Sequence, residues 1–160
     1  MVAHIKMIFV GILIFLILIG ISIFCGLHIS KDKAIENYDS IVHFFGENTL
    51  TKDKNLKGTR KFGVDKYVGT YNVEYEDFTG EEILFGGTGL SRKNGDHIHI
   101  KFDISNSDGK IEVVMRYKDT DKVIATEDGD YDWDSYVEGA SSYFIIKTDH
   151  YSGKLDVEIN

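Results

Sequence analysis

The chain has 160 residues, with 18 Lys and Arg against 26 Asp and Glu, six His, one Cys and no Pro. A net charge of −8 excludes a nucleic-acid binder, which meets phosphate with a basic face, and one cysteine excludes an internal disulfide, a Cys-rich zinc site or a CxxC pair. At 42% apolar and 12% aromatic residues the chain is not a disordered tail, and its length allows one folded domain with little to spare.

The first element is Met7–Leu27, MIFVGILIFLILIGISIFCGL, a run without a charged side chain. Its 21 residues would extend about 31 Å as a helix, close to the ~30 Å hydrocarbon core of a bilayer. Seven Ile, four Leu, three Phe and one Val leave no polar stripe of the kind a soluble core helix shows. The run is longer than a signal-peptide core, and no A-x-A-like site follows it; Gly20 and Ser22, the best small pair, lie inside it. A lipobox would need a small residue where Phe24 precedes Cys25. An uncleaved anchor over residues 1–29 is therefore expected. Positive charge on the two flanks, Lys6 and the α-amine against Lys31 and Lys33, is nearly balanced. The six residues ahead of the run give it the look of a single-pass signal-anchor that exports the C-terminal part.

Residues past 30 carry 17 bases and 26 acids, a charge of −9. Ala34, Ile35, Tyr38, Ile41, Val42 and Phe45 recur at steps of three and four, which predicts a short amphipathic helix with Ser30 or Asp32 as N-cap and Gly46 as stop. Residues 47–66 then run polar and basic, with Lys52, Lys54, Lys57, Arg60, Lys61 and Lys66. They read as a solvated tether, or as a patch for anionic lipid or wall polymer, and residues 30–66 are taken together as helix and tether.

From Tyr67 the period becomes two. Ile98, Ile100, Phe102 and Ile104 share one face of 97–104, and Ile111, Val113, Met115 and Tyr117 share one face of 110–117. The turn-rich Ser105-Asn-Ser-Asp-Gly109 between them predicts an antiparallel hairpin. Tyr71, Val73 and Tyr75 alternate likewise. Lys154–Ile159 alternates after Ser152-Gly153, with Ser142–Lys147 as its expected partner. Short strands with one apolar face need a second layer, so residues 67–160 are expected to form an all-β antiparallel β-sandwich, Ig-like or jelly-roll-like, preceded by the transmembrane and amphipathic helices.

The stretches Tyr71-Asn-Val-Glu-Tyr-Glu-Asp-Phe-Thr-Gly80, Gly139-Ala-Ser-Ser-Tyr-Phe-Ile-Ile-Lys147 and Tyr151-Ser-Gly-Lys-Leu-Asp-Val-Glu-Ile159 resemble small membrane-anchored or lipoprotein-like surface proteins of Gram-positive bacteria. The resemblance covers about residues 67–160. It implies an extracytoplasmic β-sandwich module and brings no catalytic residue with it.

The densest chemistry lies in Asp119–Glu138, where Asp128, Asp130, Asp132 and Asp134 occupy alternate positions. Acids converging in a loop supply the six to eight oxygens calcium takes, but EF-hand spacing counted from Asp128 puts Trp133 at position six and Gly139 at twelve. In a strand the same acids would line the solvent side while Tyr131 and Trp133 pack inward. Tyr131, Trp133 and Tyr136 would alternatively form a platform for sugar or peptide, although a lone Trp in a β domain ordinarily belongs to its core. His97 and His99, near Asp103, would need a third ligand such as His150 to hold a metal. No nucleophile signature stands out. Gly139-Ala-Ser-Ser lacks the second Gly of G-x-S-x-G, Ser30-x-x-Lys33 lacks companion motifs, and Gly86-Gly-Thr-Gly89 lacks the Lys-Ser/Thr of a P-loop. No catalytic, cofactor or metal residue is assigned. The expected role is non-enzymatic binding or structure at the cell envelope. The alternatives are a carbohydrate or wall-polymer module, calcium-assisted or not, and an accessory subunit of a membrane complex.

Overall fold

A computed structural model describes residues 49–88, 92, 94–137 and 141–160, together with 33–35, 37, 38 and 41. The chain divides into two compact units, Met1–Tyr38 and Asp39–Asn160. In the first, the described residues 33–35, 37 and 38 are helical and exposed. The apolar run 7–27 lies outside the described residues, among which no helix is long and apolar enough to cross a membrane.

The second unit is an antiparallel sheet of six strands: β1 (Thr59–Phe62), β2 (Gly69–Gly87), β3 (His97–Tyr117), β4 (Thr120–Ala125), β5 (Gly129–Tyr136) and β6 (Ser142–Ile159). The order is β1-β2-β6-β3-β4, and β5 also pairs with β3. β6 runs between β2 and β3 over nearly its whole length, while β4 and β5 take successive stretches of the far edge of β3.

The sequence predicted a hairpin at 105–109. Instead 97–117 is one strand, and its two parts pair with different ends of β6: Ile104 faces Leu155, and Ile111 faces Thr148. Likewise Ser142–Lys147 and Lys154–Ile159 belong to one strand rather than facing each other. The reason is local. Asn106 (φ 58°) and Gly109 (φ 85°) are left-handed but separated by Ser107 and Asp108, so they produce bulges instead of the consecutive left-handed pair of a tight reversal. Asp77 (φ 47°) on β2 and His150 (φ 49°) on β6 adopt the same conformation at the same level, with register shifts in β2 between Tyr75 and Gly80. All three long strands therefore bend together.

The bend brings two halves of one sheet face to face. The β5 half holds 69–75, 97–105 and 153–159, and the β4 half holds 80–87, 110–117 and 142–148. Tyr71, Ile100, Phe102, Ile104, Leu155 and Val157 of one pack with Leu84, Phe85, Ile111, Val113, Phe144 and Ile146 of the other in a single buried cluster. Phe102 meets Phe144 edge-on at 6.0 Å. The result is a sandwich-like all-β domain whose layers are continuous, where two separate sheets were expected. Period-two alternation specifies an apolar face but not which sheet supplies its cover.

Of the stretch read as a tether, residues 49–62 are packed on this sheet. Leu50 joins Val114, Tyr143 and Ile145 in a second cluster on the outer face of the β4 half, flanked by Phe62 and Ile83. Two charged groups secure the segment from beneath. Arg60, its side chain 4% exposed, donates from Nη1 to the Leu84 carbonyl (2.8 Å) and from Nη2 to the Thr51 carbonyl (2.7 Å) and Asp53 (2.6 Å). Glu82, 1% exposed, accepts from the Tyr71 and Tyr75 hydroxyls and the Lys57 amide, all at 2.6 Å. Burial, reinforced by this carboxylate, pushes both phenols well above the usual tyrosine range.

Candidate functional site

With one face of the β5 half turned to the core, its other face is a polar surface laid out by strand register. Three cross-strand rows matter. In the first, Asn72 of β2 faces Asp156 of β6, Asp156 faces Asp103 of β3, and Asp103 faces Asp130 of β5. In the second, Thr70, Glu158, Lys101 and Asp132 succeed one another in the same way. These residues, with Phe102, Tyr131 and Val157, line an open groove of about 520 Å³.

Electrostatically the first row is unfavourable. Like charges directly opposite on neighbouring strands repel, and Asp103 has one on each side. Burial, and then Asp130 and Asp156, raise its carboxyl above the ordinary value, while the Ser105 hydroxyl works the other way. Asp156 is steadied by the Asn72 side-chain amide. Lys101 Nζ stands 3.9 Å from Asp132 and is, among the described residues, the one lysine or arginine lining the groove. The wall is thus rich in acceptors, with Asp103, Asp130, Asp132, Asp156 and Glu158 against a single ammonium. It attracts hydroxyl or amine donors and repels anions.

The third row lies beyond the groove. His99 Nδ1 is 2.9 Å and His97 Nε2 is 3.3 Å from Asp134, and His99 Nε2 is 3.3 Å from Asp132. The His99 hydrogen bond holds the Asp134 carboxyl below its usual range. His150, considered above as a third ligand, lies instead at the sheet bend, its Nδ1 2.8 Å from Asp77, which raises the imidazole's affinity for a proton. Among the described residues no group of three or more His, Cys, Asp or Glu is arranged to hold a metal ion.

The acidic run divides. Asp130, Asp132 and Asp134 stand exposed on β5, and Asp128 precedes the strand and accepts the Ser107 amide through both oxygens at 3.3 Å. Alternate positions on an extended strand lie ~6.6–6.8 Å apart, so the three do not close around one point. Tyr131 and Trp133 are partly buried against the core, where Tyr131 stacks on Phe102 with centroids 4.7 Å apart. Tyr136, 68% exposed, lies on the opposite face beside His97, so the three aromatics form no common platform. Sequence reasoning missed Thr70, Asn72, Lys101, Asp156 and Glu158. Each is a polar position in an alternating strand, and only the register shows that they are neighbours.

No family model matches the chain, and no curated protein matches it. Among solved structures it is similar to a family 29 carbohydrate-binding module, at 12% identity and TM-score 0.38 over 66% of this chain and 73% of that one. It is also similar to a carbohydrate-binding module of Cellvibrio mixtus lichenase 5A in complex with cellotriose, at 14% identity and TM-score 0.35 over 72% and 93%. A third is the secreted serine protease VesC of Vibrio cholerae, at 8% identity and TM-score 0.40 over 62% of this chain and 22% of that one. These likenesses are too distant to carry a function to this chain.

Proposed function

We propose that this is a non-enzymatic binding module of the cell envelope. In this reading, residues 7–27 anchor it in the membrane as a single pass, and the bent sheet outside holds a glycan or uncharged wall polymer in the groove of the β5 half. The observation that carries the binding reading is the row Asp156–Asp103–Asp130. A fold selected for stability alone gains nothing from three carboxylates side by side, whereas a hydroxyl-rich ligand offers each of them donors and relieves their mutual exposure. Lys101 and Asn72 supply the donors that complete such a site. Anionic polymers do not fit a wall of this charge. The anchor rests on the uncharged 21-residue run, long enough for a bilayer and with no cleavage signature after it.

The test is cosedimentation of the protein with two neutral glycans, chitin and cellulose. Retention that Asp156→Ala and Lys101→Ala reduce about tenfold or more supports the groove. Retention indifferent to both, or no retention on either polymer, refutes it. Alkaline extraction of membranes tests the anchor separately, since release of the full-length chain would remove it.

A further inference from the structure

Where β4 and β5 part along the edge of β3, they leave a second cleft of about 320 Å³ lined by Phe102, Lys122, Val123, Ile124, Tyr131, Asp132 and Trp133. It shares Phe102, Tyr131 and Asp132 with the polar groove, so the two meet across β5. Its make-up differs. Where the groove is a field of carboxylates, the cleft has three aromatic residues, two aliphatic ones, one cation and one acid. Lys122 Nζ stands 4.7 Å from the Trp133 ring centroid, so the ammonium is held over the indole.

We propose that this cleft is a subsite for an N-acetylated hexosamine unit of the same polymer, an inference that rests on the groove reading above. Each part of such a sugar has a counterpart. The apolar face of the pyranose ring stacks on the partly buried Trp133 indole. The acetamido carbonyl accepts from Lys122, which leaves its cation–π position to donate, and the acetamido methyl lies on Val123 and Ile124. Asp132, at the junction of cleft and groove, accepts from a hydroxyl or from the acetamide N–H. A free amine in place of the acetamide would face Lys122 with like charge, and a plain hydroxyl would leave the aliphatic pair without its methyl. The cleft thereby selects the acetylated unit, while the groove accepts any polyol.

Trp133 is the sole tryptophan among 160 residues, so its emission reports on this cleft alone. The full chain in detergent micelles is titrated with oligomers of N-acetylglucosamine, of glucosamine and of glucose, following Trp133 fluorescence and, in parallel, heat of binding. The expected result is a saturable change in emission with the N-acetylated oligomer and a much weaker one with the other two. Lys122→Ala, at an exposed position, should lower the urea unfolding midpoint only slightly, by the loss of one exposed cation–π contact, and weaken the N-acetylated oligomer about three- to tenfold, the loss of one hydrogen bond. Heat of binding without any emission change would overturn the cleft and leave the groove standing. Equal emission changes with acetylated and free amine would overturn the selectivity. Neither heat nor emission change with any oligomer would overturn both readings.

Discussion

Replacing Asp103 by Asn probes the central row of the groove directly. The side chain keeps its shape and loses a charge that sits between two others, Asp130 and Asp156, in direct register. A like-charged pair directly opposite on a sheet costs some tenths to about 1 kcal/mol. Two such pairs, offset in part by the Ser105 hydroxyl, put the relief near 1 kcal/mol, or about 4 °C in Tm for a domain of this size. The sign with pH follows from the raised carboxyl of Asp103: the folded state holds this proton more tightly than the unfolded chain does. Repulsion is therefore present at neutral pH and fades as the pH falls through the raised value. Thermal unfolding of wild type and Asp103→Asn at several pH values should show the variant more stable at pH 7 and the difference gone by about pH 3. A variant no more stable at pH 7, or one whose advantage persists at pH 3, would refute the reasoning.

Three further substitutions test the frame that holds the groove. Glu82→Ala strips the acceptor from two buried phenols and the Lys57 amide, and should cost about 3–5 kcal/mol in urea unfolding, with Glu82→Gln costing roughly half as much; a loss below about 1 kcal/mol would contradict the buried clasp. Gly109→Ala should destabilise far more than Gly95→Ala. Both have φ of +85°, but only at Gly109 would a new Cβ meet a backbone atom, the His150 carbonyl oxygen, whereas nothing lies near Gly95; equal losses would mean that the bend is not tight. Asp121 accepts from Arg116 Nε (2.6 Å) and Lys147 Nζ (2.7 Å), which hold its carboxyl far below the usual range. Its contribution, about 1 kcal/mol for a partly exposed pair, is full above pH ~4 and fades progressively as the pH falls from there toward the depressed folded-state value, so Asp121→Asn should lower the urea midpoint at pH 7 and by steadily less in increasing acid.

The elements differed in how far their sequences disclosed them. β5 was legible because Gly129–Tyr136 alternates strictly and its acids have nowhere to go but solvent. The apolar faces of 97–104 and 110–117 were equally plain, yet Ser-Asn-Ser-Asp-Gly serves a reversal or a pair of bulges with the same residues, and the outcome depends on β6, some forty residues later. Arg60 read as one base of a solvated tether, and nothing in the local pattern singled out Glu82. Their burial follows from the folding of residues 49–62 onto the sheet, a tertiary event that local pattern does not encode. The same limit hid the groove. The run Asp128–Asp134 drew attention as a cluster along the chain, whereas the neighbours that matter to Asp130 are Asp103, 27 residues before it, and, beyond that, Asp156. Registers are set between strands, and a single strand does not announce its own.

The most direct measurement is a map of backbone amide NMR shifts during titration of the protein with a soluble N-acetylated wall-glycan fragment. Saturable shifts concentrated at Thr70, Asn72, Lys101, Asp103, Asp130 and Asp156 are the expected result. An undisturbed β5 half, or shifts confined to the β4 half and the bend, would contradict the claim that this polar face is where the protein binds.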